Sequence, residues 1–444
     1  MRRKSTAGGW RRARAAAGLT GAALLLATAC AGGGSKGDGV AAAGKEDTAA
    51  PQVTITPADG TGKAKPEQGI EVKAANGTLE TVAVQLKGQD VPGVLSPDKT
   101  SWKSAWTLTP NASYQVTATA KNAKKSTTAN SKFKTLKAAQ SLSITSVMPN
   151  AGQRVGIGMP IVVNFNRSVT DRKAVERSLQ VVSDQPNEGA WLWNGSQQVI
   201  FRTKKYWAAN QKIALTAHLA GVKSSSSTYG TSDFKLKFKI GDSRISKVNT
   251  RTHRMVVYIN GKKVQNVGIS AGRGGVRKYT TTNGIHLTME KENPVTMISP
   301  GISQGQPGYY KEVVGYAVRI SNSGEYVHSA PWSVGSQGNS NVSHGCINAS
   351  PSFATWFYNL AQWGDIVAIT GTDRELEWDN GYGFWQKPWK QWVKGSAFDK
   401  SVSTDASGAM PTSPSATPAT SPVAGAGTTP GTTPATTPAG TPTP

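Results

Sequence analysis

A mainly β fold is what this sequence predicts, arranged as three strand-rich units in succession, and three observations carry the prediction. Between residues 51 and 400 the apolar positions recur mostly with period two. Turn signals such as Asn76-Gly77 and Asn260-Gly261 punctuate the alternating runs. Helical spacing is confined to short stretches at 171–179 and 352–363. With 444 residues and roughly 150 per domain, about two to four domains are expected once the termini are set aside.

Residues 1–30 read as an export signal. Arg2, Arg3, Lys4, Arg11, Arg12 and Arg14 are basic, 15–27 are mostly apolar, and Ala27-Thr28-Ala29-Cys30 places small residues before a cysteine. That ending looks like a bacterial lipobox, in which Cys30 becomes the lipid-bearing first residue, although Ala27 stands where leucine is usual. The alternative is an ordinary cleaved signal. Residues 31–50 are Gly, Ala, Ser and a few charges, a flexible tether.

Within 51–140, Val53-Thr54-Ile55-Thr56, Ile70-Glu71-Val72-Lys73, Val82-Ala83-Val84-Gln85-Leu86 and Tyr114-Gln115-Val116-Thr117-Ala118 predict a small β-sandwich. Within 141–243, Ile161-Val162-Val163-Asn164-Phe165, Trp191-Leu192-Trp193, Gln198-Val199-Ile200-Phe201 and Phe234-Lys235-Leu236-Lys237-Phe238 read as further strands. Neither unit shows a catalytic cluster, and His218 reads as a strand histidine. Their expected job is reach. The third unit, 244–372, opens with a strand, an Asn-Gly turn and a return strand from Met255 to Val264. Further strands surround 285–288, 316–320 and 365–369, and the helical stretch 352–363 follows Pro351. Residues 373–400 hold Trp378, Trp385, Trp389 and Trp392, expected to form an aromatic clasp on the third unit in preference to a platform for glycan rings. Residues 401–444 hold nine of the 24 prolines and one charge, Asp405, a composition that builds no core and predicts an extended, disordered spacer.

The formal net charge is +24, from 50 Lys+Arg against 26 Asp+Glu. Such a balance favours anionic partners, which for an exported chain are wall phosphate polymers or lipid headgroups. No nucleic-acid motif is present. His253 and His286 have no acidic or histidine partner at metal-ligand spacing, so no metal and no cofactor is expected.

The chemistry sits in Ser343-His344-Gly345-Cys346-Ile347-Asn348, with His328 eighteen positions before the cysteine. With Cys30 lipidated, Cys346 is the remaining thiol, and an unpaired cysteine in an exported chain is better explained by reactivity than by stapling. A thiol near pH 7 is only a few per cent thiolate, so a nucleophilic cysteine needs an imidazole to take its proton. His328 and His344 are both candidates. Gly345 would let a carbonyl substrate approach the backbone, whose N–H groups then hold a tetrahedral oxyanion.

His328-Ser329-Ala330-Pro331-Trp332-Ser333 followed by the cysteine run resembles the signature of L,D-transpeptidases of the YkuD type. Over about 51–398 the chain is similar to actinobacterial members of that family. The resemblance implies two immunoglobulin-like β-sandwiches, then a YkuD-type β-rich catalytic domain with a short helix after the cysteine motif and a tryptophan-bearing extension. It implies that Cys346 attacks a peptidoglycan stem peptide, that His328 is the base ahead of His344, and that the Ser329 carbonyl orients His328. The backbone N–H groups of His344, Gly345 and Cys346 become the oxyanion-hole candidates. Tyr310, Ser323, Gly324, Asn348 and Ser343 match substrate-contacting positions, and Trp332 walls the cleft. Residues 297–310 correspond to the active-site lid, with Tyr309 the other candidate for the lid tyrosine.

Three other readings use the same residues. An L,D-carboxypeptidase would pass the acyl group to water, and a non-enzymatic lipoprotein would bind the wall through its β units. A sortase needs an arginine soon after its cysteine strand, and none lies between Cys346 and Arg374. The expected location is the outer face of the membrane, with activity in the cell wall.

Overall fold

The computed structural model describes residues 49–299 and 301–405. The export signal, Cys30, most of the tether and the tail beyond Asp405 lie outside the described residues. Three pairs of β-sheets follow one another.

The first pair sets strands Gln52–Thr56, Glu71–Ala75, Ser101–Ser104 and Gly93–Leu95 against Gln89–Asp90, Thr78–Leu86, Ser113–Lys121 and Ser126–Lys134. Alternation decides which face goes in. In Ser113–Lys121 the inward residues Tyr114, Val116, Ala118 and Ala120 are all buried, while the residues between them carry the polar face. With Val72, Trp102 and Phe133 they form the core.

One sheet of the second pair is covered on both faces, and its strands show it. Ile161–Phe165, Glu188–Asn194 and Gln198–Thr203 are buried almost throughout, because the tryptophan-bearing extension lies across their outer face. Trp392 is fully buried and donates to the Ala190 carbonyl at 2.9 Å, and Trp385 donates to the Gly158 carbonyl at 2.9 Å. Arg202 reaches out between them, its guanidinium carbon 4.6 Å from the Trp385 ring and 4.7 Å from the Trp392 ring. Buried Glu176 accepts from the Trp193 indole and from the Ala397 N–H. The clasp expected on the third unit therefore packs chiefly on the second. The reason is that this sheet exposes an apolar outer face. Val402–Ser403, grouped by composition with the tail, adds an edge strand to the same sheet opposite Glu188 and Gly189.

The short helix forms at Arg172–Arg177, where the Asp171 side chain accepts from the Ala174 N–H and so caps it. His218 falls just past a strand and stacks on Trp106 of the first unit with ring centroids 3.6 Å apart.

The third unit has a five-stranded sheet in the order Lys262–Gly268, Arg254–Ile259, Arg244–Asn249, Ile366–Thr370, Gly284–Leu287. Its second sheet runs Lys291–Glu292, Ala317–Arg319, Tyr326–Ser329, Ile347–Ala349, and the hairpin Val295–Ile298 with Lys311–Val314 stands apart. Helix Pro351–Leu360 starts as the sequence predicts, with proline in its first turn and the Ser350 hydroxyl accepting from Phe353 N–H. Phe353 and Phe357 pack on Val327 and Ile347, which locks the cysteine-bearing segment between a strand and a helix. Leu287 and Ile366 of this unit join the core of the second unit, so the two share one apolar interior.

Candidate active site

Strand pairing brings the two halves of the motif together. Tyr326–Ser329 runs parallel to Ile347–Ala349 with His328 opposite Asn348, so Cys346 arrives at the strand entry next to Tyr326. The Cys346 thiol donates to the Gly324 carbonyl at 3.6 Å. Burial pushes that thiol up to about 12, with Glu325 and Glu312 adding in the same direction and the Tyr326 N–H opposing. Burial likewise holds His328 below the ordinary imidazole range, against the Ser329 carbonyl and the Asn348 side chain. Nδ1 of His328 lies 2.9 Å from the Ser329 carbonyl oxygen, which fixes the ring without a carboxylate. Both groups are therefore neutral when the cleft is empty.

The loop before the cysteine is internally braced. The Gly345 N–H donates to the Ser343 hydroxyl at 3.1 Å, and that hydroxyl donates to the Cys346 carbonyl at 2.6 Å. Gly345 adopts φ 130°, a left-handed value that a side chain would strain. The Thr281 hydroxyl donates to the Gly345 carbonyl at 2.7 Å. Since the peptide is planar and trans, this turns the Cys346 N–H away from Thr281.

A cleft of about 620 Å³ opens over the thiol, lined by Tyr310, Ser323, Gly324, His344, Gly345 and Cys346 among others. Tyr310 lies between the two strands of the hairpin, just before Lys311–Val314, and its N–H donates to the Ser299 hydroxyl at 2.8 Å. Its ring stacks on His344 at 4.7 Å, while Tyr279 meets the same imidazole edge-on at 4.6 Å. His344 is thus held between two tyrosines. Asn380 of the extension holds Ser323, accepting from its N–H and donating to its hydroxyl.

Several expected contacts fall elsewhere. Gly345 is not a free oxyanion donor, because its N–H is taken by Ser343. Ser343 is buried and braces the loop, so it does not face substrate. Asn348 is buried, donating to the Ser333 hydroxyl at 3.1 Å, since the inward side of its strand carries it beside His328. Trp332 is 55% exposed, its ring centroid 6.1 Å from that of His328, and neither it nor the buried His328 is among the residues lining the cleft. His286 does have an acidic partner: its Nε2 lies 3.7 Å from Glu325. Sequence spacing hid that pairing, which joins the strand Gly284–Leu287 to the residue just before Tyr326–Ser329.

Residues 61–223 match the model of a bacterial Ig domain, and 243–369 match that of the L,D-transpeptidase catalytic domain. L,D-transpeptidase 2 of Mycobacterium tuberculosis (strain CDC 1551 / Oshkosh) is 34% identical over 355 residues, 79% of this chain and 86% of that one. L,D-transpeptidase 5 of Mycobacterium tuberculosis (strain ATCC 25618 / H37Rv) is 32% identical over 376 residues, 82% of this chain and 81% of that one. A solved L,D-transpeptidase from Mycobacterium smegmatis is 34% identical over 52% of this chain and 99% of its own, with a TM-score of 0.44. Fold, thiol and imidazole define a cysteine-dependent acyltransferase on an Ig-bearing scaffold. The chain belongs to the L,D-transpeptidases, enzymes of peptidoglycan that act in the cell wall.

Proposed function

We propose that Cys346 carries the acyl group as a thioester and that His328 handles its proton. The thiol sulfur attacks the carbonyl carbon after the diamino acid of a donor tetrapeptide while its proton passes to His328. The C–N bond to the terminal D-Ala breaks, and His328 returns the proton to the departing amine. An acceptor amine then attacks the thioester, gives a proton to His328 and leaves a 3→3 crosslink with the thiol restored. The Cys346 N–H, with that of His344, is the donor assigned to the tetrahedral oxyanion. Tyr310, Ser323 and Gly324 are assigned to the donor stem.

The observation that carries this reading is the buried His328, fixed by the Ser329 carbonyl on the strand that pairs with the cysteine segment. A mutation tests it. Cys346→Ala leaves little cavity at the floor of an open cleft and is expected to fold and to form no crosslinked dimer from disaccharide tetrapeptides. Dimers made by the folded variant would sink the assignment, and free tripeptides alone from the wild type would make it a carboxypeptidase. Cys30 is proposed to carry the lipid that anchors the chain, with anionic wall polymers as further partners of its basic surface.

A further inference from the structure

Glu325 is the one carboxylate among the described residues lining the cleft, and its side chain is 5% exposed. Its Oε1 accepts from the Thr282 N–H at 2.7 Å and its Oε2 from the Thr282 hydroxyl at 2.5 Å. The Thr282 oxygen lies 2.7 Å from Nε2 of the fully buried His286, whose Nδ1 is 3.2 Å from the Gly284 carbonyl. With the Thr282 N–H and hydroxyl both donating to it and the His286 ring 3.7 Å away, Glu325 has the partners a buried carboxylate needs. Burial pushes the Glu325 carboxyl up, but His286 and Thr282 outweigh it and hold the group below its ordinary range.

This network grips both walls of the thiol. A Cβ on Gly345 would lie 3.7 Å from the Glu325 Cγ, an ordinary contact, so the Glu325 side chain lies directly beside the loop that carries Cys346. Gly324, the neighbour of Glu325, supplies the carbonyl that takes the thiol hydrogen. Thr281, the neighbour of Thr282, holds the Gly345 carbonyl. Accepting Cys346 as the nucleophile, we propose that Glu325, fixed as a carboxylate by Thr282 and His286, is a positioning residue that keeps Cys346 a neutral thiol on the Gly324 carbonyl. The proton then leaves for His328 only as sulfur attacks the donor. An exported thiol held neutral is also shielded from oxidation, which proceeds through the thiolate.

Other groups face the same sulfur. Glu312 comes from the hairpin strand Lys311–Val314, Tyr310 from the residue before it, Tyr326 from the strand and His344 from the loop, with Lys278, Arg319 and Arg374 around the cleft. Glu312 acts in the same direction but stands on an exposed strand, where solvent screens it. The buried carboxylate is the less screened charge.

The rate of alkylation of the Cys346 peptide by iodoacetamide at fixed pH near neutrality, read by mass spectrometry on the full chain, tests the proposal. Glu325→Gln removes the charge while its oxygen still accepts from the Thr282 N–H and its amide turns to donate to the Thr282 hydroxyl, so alkylation is expected to be about tenfold faster. Glu325→Asp keeps the charge, and its rate stays with the wild type. If Glu325→Gln does not fold, the joint change Glu325→Leu with His286→Leu removes the pair without stranding a charge and speeds alkylation in the same sense. An unchanged rate in the charge-free variant, or equal changes in Gln and Asp, overturns the proposal. Crosslinked dimers formed by folded Cys346→Ala would instead overturn the nucleophile assignment.

Discussion

Burial favours the uncharged form of His328, the proposed base, and the sign of that effect is testable. Its proton affinity is lowered, so the neutral, proton-accepting form survives to lower pH than in a free imidazole, near 6.5. The acid limb of the acylation-rate profile is therefore expected below about 6.5, and a limb at or above that value contradicts the account. His328→Ala should slow acylation by about 10²–10⁴ at neutral pH, measured by stopped-flow or mass. The proposed pair was legible because its signal is local: a cysteine in Ser-His-Gly-Cys with a histidine eighteen positions upstream. The roles of Asn348, Ser343 and Glu325 were not. Each depends on which way a strand turns its side chains and on partners such as Thr282, 43 residues from Glu325.

The elements form where alternation, caps and turns place them, and the extension closes the second sheet over its apolar face. Trp392 is the keystone of that closure, fully buried with its indole bonded to Ala190. Trp392→Ala should cost about 3–5 kcal/mol, seen as a lower midpoint in urea denaturation. A cost under about 1 kcal/mol would mean that the extension merely lies on the sheet. The four tryptophans announced a clasp, while the strands of 141–243 were legible only as strands, without the two-sided cover that buries Gln198–Thr203. Which unit the clasp covers was not readable from composition, because Arg202 lies about 185 residues before the segment it receives.

At the scale of the molecule, the second sandwich and the catalytic unit share an apolar interior, so the cleft is built on a foundation larger than its own domain. Asn380 of the extension completes that dependence by holding Ser323 at the cleft. The basic surface and the proposed lipid on Cys30 would keep the enzyme between membrane and wall. Cys30→Ala is expected to move the protein from the membrane to the soluble fraction, and continued sedimentation with membranes would refute the anchor. The central claim is a thioester on Cys346, and intact-protein mass after exposure to a carbapenem tests it most directly. A β-lactam carbonyl opened by the thiol stays attached, so the wild-type mass should rise by one drug molecule while Cys346→Ala stays unchanged. A full adduct on Cys346→Ala would contradict the account.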